Sequence, residues 1–321
     1  MAEEAGELEI EAAHRRRRRW PRVLAVLAIA ILVALAMVWF ARERIAGNFV
    51  EAQLQQNDIP ATYEIESIGP YRQVLTNIVV GDPSAPDMTI ERAEVAIRYR
   101  LGTPTIGQIT LVRPRIYGTM RGGKLSFGTL DKALFRDTGE PPGLPRLDLN
   151  LVDGRGLIES DFGAIGIKAD GAGRLDDGFT GVLAVAAPEI DVAGCEAREA
   201  TLFGKITTAD GKPTIEGPLR AASFACSAQG LSLSNASISI DATIDKNLAG
   251  VEGDGRLAIG AVVGADARAS GINGTVRAVW RSDALTARYS LAGRGITHPQ
   301  ARAALLTAEG IVRGRNSFAT L

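Results

Sequence analysis

Residues 231–244 read LSLSNASISIDATI, and the alternation of their apolar positions decides the fold. Leu231 and Leu233 share one parity, whereas Ala236, Ile238, Ile240, Ala242 and Ile244 share the other. A period of two marks a β-strand with one apolar and one polar face, because successive side chains point to opposite sides of the pleat. The parity changes at Ser234-Asn235, so a bulge or tight turn is expected there.

The same period recurs outward in both directions. It is clean at Leu147, Leu149 and Leu151, at Ile165, Ile167 and Ala169, and at Leu183 and Val185. Upstream it starts near Tyr63 and Ile65 and continues through 75–80, 88–99 and 106–117. Turns are expected at Gly81-Asp82-Pro83 and Gly102-Thr103-Pro104. One face is Leu, Ile, Val and Ala; the other is Asp, Ser, Thr, Arg and Asn. Hydrophobic residues make up 46% of the 321 but aromatics only 5%, so large anchors for a sandwich core are scarce. The 36 glycines are spread along the whole chain, which suits many short strands and turns. Gly171-Ala-Gly173-Arg174-Leu175 is echoed by Gly253-Asp-Gly255-Arg256-Leu257, and more loosely by Gly293-Arg-Gly295-Ile296. Such echoes fit an elongated repetitive sheet. The expectation is therefore a mainly β protein with little helix beyond its N-terminal segment.

Two segments stay open. Residues 129–135 (TLDKALF) fit a helical turn, and 299–309 (PQARAALLTAE) fit either a short helix closed by Gly310 or another strand. PPGLP at 141–145 is the best internal break, separating a first β unit (61–140) from a longer sheet (146–321).

Residues 23–40 (VLAVLAIAILVALAMVWF) carry no charge. At 1.5 Å per residue they make about 27 Å of helix, close to the hydrocarbon thickness of a bilayer. Trp20 and Trp39 stand near the two ends, where amphipathic rings favour the interface. The run is longer than the apolar part of a signal peptide and ends without an A-x-A site, so an uncleaved anchor is expected. Arg15, Arg16, Arg17, Arg18, Arg19 and Arg22 precede it, against Arg42 and Arg44 after it. That asymmetry puts residues 1–22 in the cytoplasm and everything after the span outside. A helix is expected over 41–60, ended at Asp58-Ile59-Pro60. The net charge is −1, so no global field draws nucleic acid.

The only cysteines, Cys195 and Cys226, fall on the external side. An oxidising compartment permits a disulfide between them, with two buried thiols as the alternative. His occurs twice, at His14 and His298, which excludes any mechanism built on several imidazoles. The Gly171-x-Gly173 and Gly253-x-Gly255 fragments lack the helix and partners of a nucleotide-binding motif. Asp176-Asp177 beside Gly178 reads as turn chemistry. Asn235-Ala-Ser237 and Asn273-Gly-Thr275 match a glycosylation sequon at a frequency expected by chance. No catalytic pattern rises above chance. The chain reads as a non-enzyme, without cofactor or metal.

The Arg-rich start RRRRRWPRVL, the single anchor, IPATYEIESIGPYRQVLTNIVVGDP, TIERAEVAIRYR and IGQITLVRPRIYGTMRGGKLSFGTLDKAL together resemble the AsmA-like family of bacterial inter-membrane bridge proteins, in its YdbH-related branch. The resemblance is most specific over residues 15–135. It implies a U-shaped, taco-like open sheet, antiparallel or mixed, whose apolar groove shields phospholipid acyl chains in the periplasm between inner and outer membranes. The groove lining is then expected at Leu147, Leu149, Leu151, Ile165, Ile167, Leu183, Val185, Leu231, Leu233, Ile238, Ile240 and Ile244. Partners would be phospholipids, the inner membrane and a protein of the outer membrane or periplasm. At about eleven residues per strand the external part would hold roughly two dozen strands and about 110 Å of groove. A membrane-anchored envelope scaffold, binding proteins along its sheet edges, is the competing reading.

Overall fold

A computed structural model describes residues 60–315, apart from 101–102, 135–142, 193, 265 and 282–283. The expected span, the arginine run before it and the helix expected over 41–60 (Pro60 excepted) lie outside the described residues. Among the described residues no helix is long and apolar enough to cross a membrane.

The described chain is one mixed sheet of seventeen strands. β1 (Ala61–Ile68), β2 (Arg72–Asp82) and β3 (Ala85–Arg100) form an antiparallel meander. β4 (Thr103–Val112) and β5 (Arg115–Arg121) both lie against β3 and together make one strand position, interrupted at Arg113-Pro114. Pro114 has no N–H to give to the ladder, which fits a break there. β6 (Lys124–Ser126) folds back on β5 as a short flap.

A crossover follows. A 3-10 turn (Gly128–Leu130) leads directly into α1 (Asp131–Leu134), so the segment expected as a helical turn is one. Thr129 donates to Asp87 Oδ2 of β3 through its N–H at 2.8 Å and its hydroxyl at 2.6 Å, tying the crossover to the sheet. Phe127 lies against Gly118, where an added Cβ would come within 2.8 Å of the ring. The chain then enters β7 (Asp148–Ser160), which pairs in parallel with both β4 and β5. One sheet therefore continues through the PPGLP break.

From β7 onward each strand pairs with its chain neighbour in antiparallel register. These are β8 (Gly163–Arg174), β9 (Thr180–Val192), β10 (Cys195–Ala209), β11 (Lys212–Cys226) and β12 (Leu231–Ile244). Next come β13 (Gly250–Val263), the divided β14 (Arg268–Ala269) and β15 (Gly271–Arg281), β16 (Ala284–His298) and β17 (Ala301–Arg315). The ambiguous 299–309 segment is thus mostly strand. Its Arg302, Ala303, Leu305, Leu306 and Thr307 all take cross-strand partners on β16.

The strands of this second stretch are mostly 11–15 residues long, longer than the sequence spacing suggested. The seventeen strands occupy fourteen positions, because β4 shares one with β5, β14 shares one with β15, and β6 is only a flap. At about 4.8 Å between neighbours the sheet measures about 62 Å along its hydrogen bonds, correcting the expected 110 Å.

Burial is sparse. Among the described residues the buried apolar side chains are Val74, Val80, Ile90, Ala93, Leu130, Phe179, Ala187 and Cys226, with Pro114 and Pro213. A sandwich of this size would bury most of its inward positions between two layers. Here the apolar positions are mainly half-buried, as on a sheet with one layer.

Candidate functional site

Cross-strand register assembles the half-buried positions into lanes that run across the strands. Ile167, Val185, Leu202, Leu219, Ile238 and Leu257 are successive partners on β8 to β13, with no polar residue among them. The lane goes on through Gly274, Leu291 and Ala308. A parallel lane runs from Leu151 through Gly171, Gly181, Ile206 and Ile215 to Ala242, then Gly253, Ala278, Ala287 and Val312. Between these lanes lie Ala169 and Leu183, and farther along Ile240, Gly255, Val276, Tyr289 and Gly310. Across these three lanes the Tyr289 hydroxyl is the one polar side-chain group. Such a surface can solvate hydrocarbon and offers no acid, base or nucleophile array.

The opposite face is charged. Lys205, Glu216, Asp241, Asp254, Arg277 and Arg288 follow one another across β10 to β16. At the end of the strands Arg281 donates from Nε to Asp245 Oδ2 at 2.7 Å and from Nη2 to Oδ1 at 2.9 Å. Those hydrogen bonds hold the Asp245 carboxyl below the usual carboxylate range and push the Arg281 guanidinium up.

The parity change within β12 has a specific cause. Asn235 is left-handed at φ 54°, and the pairs Ser234↔Ala261 and Ala236↔Ile259 on either side keep the same register. No residue is inserted and the chain does not turn, so the expected bulge or turn is instead a single αL residue inside a continuous strand. It reverses the pleat, and with it the parity. Asn tolerates this backbone better than most residues because its short amide can bond locally. Glu199 of β10 does the same at φ 51°. As a result Ala197, Phe224, Leu233 and Val262, beyond the crease, stay in line with Ala200, Ala221, Ala236 and Ile259 before it. A second crease crosses β2 to β7, with Asn77 at φ 52°, Arg113 at φ 49° and Asp153 at φ 50°. At Asp153 the register against β8 also shifts.

Glycines mark where this face is tight. A Cβ on Gly217 would stand 2.1 Å from the Phe203 carbonyl oxygen, and one on Gly274 would stand 2.1 Å from that of Ser290. Larger side chains lean over other glycines: Phe179 over Gly171, Ile238 over Gly255 and Tyr289 over Gly310. Near the β12–β16 end the face forms a concavity of about 560 Å³, bounded by Ile238, Ile240, Val251, Val276, Trp280 and Leu285.

Eleven of the twelve residues expected to line a groove sit in strands on this face: Leu149, Leu151, Ile165, Ile167, Leu183, Val185, Leu231, Leu233, Ile238, Ile240 and Ile244. Leu147 lies just before β7, its N–H bonded to the Pro145 carbonyl at 2.9 Å. Leu202, Ile206, Ile215, Leu219, Leu257 and Val276 belong to the same lanes but were not anticipated. The signal was present as an alternation of Leu202, Gly204 and Ile206, masked by Phe203, which points to the other face and is 60% exposed.

Cys195 and Cys226 are direct cross-strand partners on β10 and β11 and are joined by a disulfide. His298 ends β16, where its Nδ1 accepts the Gln300 N–H at 3.2 Å. Asp176 lies in the β8–β9 connection and takes the Arg174 guanidinium at 2.7 Å, and both Gly-x-Gly fragments lie within strands. Asn235 and Asn273, of the two sequons, are likewise in strands. No group of His, Cys, Asp or Glu among the described residues could hold a metal ion.

Residues 29–316 match the model of a protein family described as YdbH-like, intermembrane phospholipid transport protein YdbH. No curated protein and no solved structure gave a match.

Proposed function

The chain belongs to the YdbH-like family of intermembrane phospholipid transport proteins, and from that premise we propose that its apolar face is the surface that carries phospholipid acyl chains. The observation that bears most weight is the unbroken lane from Ile167 to Leu257, on a sheet with no second layer over it among the described residues. Six strands at about 4.8 Å spacing make it about 24 Å long, more than one leaflet's share of a hydrocarbon core about 30 Å thick. Each buried CH₂ contributes about 0.8 kcal/mol, so a tail of ordinary length is held on the order of 10 kcal/mol when fully covered. The twelve residues named from sequence, Leu147 to Ile244, and the lane members added by register form the lining. Headgroups stay outside and meet few fixed polar groups, so discrimination among lipids is weak.

Residues 23–40 anchor the protein in a bacterial inner membrane with the N-terminus cytoplasmic, and the sheet stands in the periplasm, toward the outer membrane. The arginines before the span and the disulfide between Cys195 and Cys226 support that placement. No catalysis is assigned to the protein, whose family is one of lipid transport.

The test is native mass spectrometry of the full chain purified in mild detergent. Wild type should carry phospholipid. Leu219→Asp with Ile238→Asp should lose it, while Thr201→Asp with Ser239→Asp, on β10 and β12 but the opposite face, should keep it. Circular dichroism must show both variants folded. A folded wild type devoid of lipid sinks the reading. It would favour the scaffold alternative, which rests on β17, a fifteen-residue edge that pairs only with β16 among the described residues.

A further inference from the structure

Resting on the acyl-chain reading, we propose that the end of the sheet built by Tyr71, Tyr99 and Ile106 sits at a phospholipid bilayer surface and is the mouth through which tails reach the apolar face. These three side chains, just before β2, on β3 and on β4, are 70%, 49% and 69% exposed, an unusual concentration of large apolar surface. They are nevertheless held in place. The two tyrosine rings meet edge to face at 5.5 Å, and Tyr99 donates its hydroxyl to the Pro70 carbonyl at 2.9 Å. The Ile97 N–H donates to the Tyr71 carbonyl at 2.8 Å, and Ile97 is the cross-strand partner of Ile106.

The patch is continuous with the apolar face. On β3 and β4 the partners Ala93↔Leu111 and Val95↔Ile109 lead to a register shift and then to Ile97↔Ile106. Ile109 and Leu111 in turn pair with Leu149 and Leu151 of β7. An apolar path therefore runs from the exposed end into the lanes.

The chemistry at the margin selects the occupant. Tyrosine has an apolar ring and a polar tip, the combination that concentrates at the boundary of hydrocarbon and headgroups. Arg72 and Arg98 follow Tyr71 and precede Tyr99, with side chains 57% and 68% exposed. Each has one internal carboxylate, Glu94 at 3.3 Å and Asp148 at 3.6 Å. A guanidinium has five donors, so both remain able to bind phosphate oxygens. An exposed isoleucine between amphipathic rings, flanked by cations, suits a bilayer surface. The patch also belongs to the first hairpins formed after the expected span.

The experiment uses the full chain in vesicles of phosphatidylethanolamine and phosphatidylglycerol. Cys195 and Cys226 are bonded to each other and are the only native cysteines, so an introduced thiol is the one that takes a spin label. A label at Ile106→Cys should be readily relaxed by oxygen and shielded from a water-soluble nickel chelate. A label at Thr307→Cys, on exposed β17, should behave as in water. Equal access of the chelate to both labels overturns the proposal. A second variant, Tyr71→Ser with Tyr99→Ser and Ile106→Ser, should slow uptake of fluorescent phospholipid from donor vesicles about tenfold and leave equilibrium lipid occupancy by native mass spectrometry unchanged. Loss of both together would make the patch part of the carrying surface and overturn its role as a mouth. Absence of lipid from wild type would defeat the acyl-chain reading itself, while the label depth still decides the membrane contact.

Discussion

Glu199 and Asn235 flank Ala222 from either side, on β10 and β12, and both are left-handed, at φ 51° and 54°. The pair holds one crease in register across the sheet, which lets the apolar face pass through a reversal of the pleat without changing sides.

Glu199 is the less suited of the two to that backbone. Glu199→Gly should raise stability by about 1 kcal/mol, because glycine has no Cβ penalty at positive φ. Glu199→Val should lower it by at least about 1 kcal/mol, since a β-branched residue is poorly tolerated there. Urea unfolding followed by circular dichroism reads both. Equal midpoints for the two variants would mean that the crease is not held by backbone preference.

Two glycines of the sheet, on β11 and β8, should respond differently to the same methyl group. Gly217→Ala places a Cβ against the Phe203 carbonyl and should cost about 2 kcal/mol or more. At Gly166 the nearest atom would be 3.7 Å away, an ordinary contact. Gly166→Ala should therefore fall within about 0.5 kcal/mol of wild type. Similar losses at the two sites would contradict the tight approach of β10 and β11.

The disulfide closes a loop with a sequence separation of 31. Removing that constraint from the unfolded chain costs about 3–4 kcal/mol in the loop-entropy account. Cys195→Ala with Cys226→Ala should lower the unfolding midpoint accordingly. The lane at Leu202 and Leu219 crosses the middle of β10 and β11, seven residues along each strand from the disulfide, so lipid occupancy should persist in the folded variant.

Acid should weaken the sheet through its paired carboxylates. Asp245 is depressed by Arg281 in the folded state, so its contribution is fully present above the unfolded value of about 3.9. It is lost as pH falls through the lower folded value. The urea midpoint should be level from about pH 5 to 8 and drop below about pH 4. In Asp245→Asn that drop should shrink. An unchanged acid limb would mean that the bidentate contact to Arg281 adds nothing in solution.

The sequence disclosed the period of the strands, the presence of one apolar face and even the residue pair at which β12 changes parity. It could not disclose the lanes, because these depend on which residue of one strand stands beside which residue of the next. Leu202 takes its place in a lane only through its partners Val185 and Leu219. The parallel join of β7 to β4 and β5 was equally hidden, since it depends on the path of a crossover. Residues 299–309 carry Ala, Leu and Gln, good helix formers, yet they became strand once β16 offered a full ladder of partners.

From β8 to β17, with β14 and β15 counted as one position, every strand finds a partner in the position just before it. The sheet can therefore grow in the order in which the ribosome makes it, one hairpin at a time. Each new strand meets an edge that already exists, and loop-closure entropy stays small. The slow event is confined to one place, the parallel join of β7 to β4 and β5, which must wait for the crossover to settle on Asp87. A fault there would stall every hairpin downstream, whereas a fault at β16 would leave the earlier sheet standing.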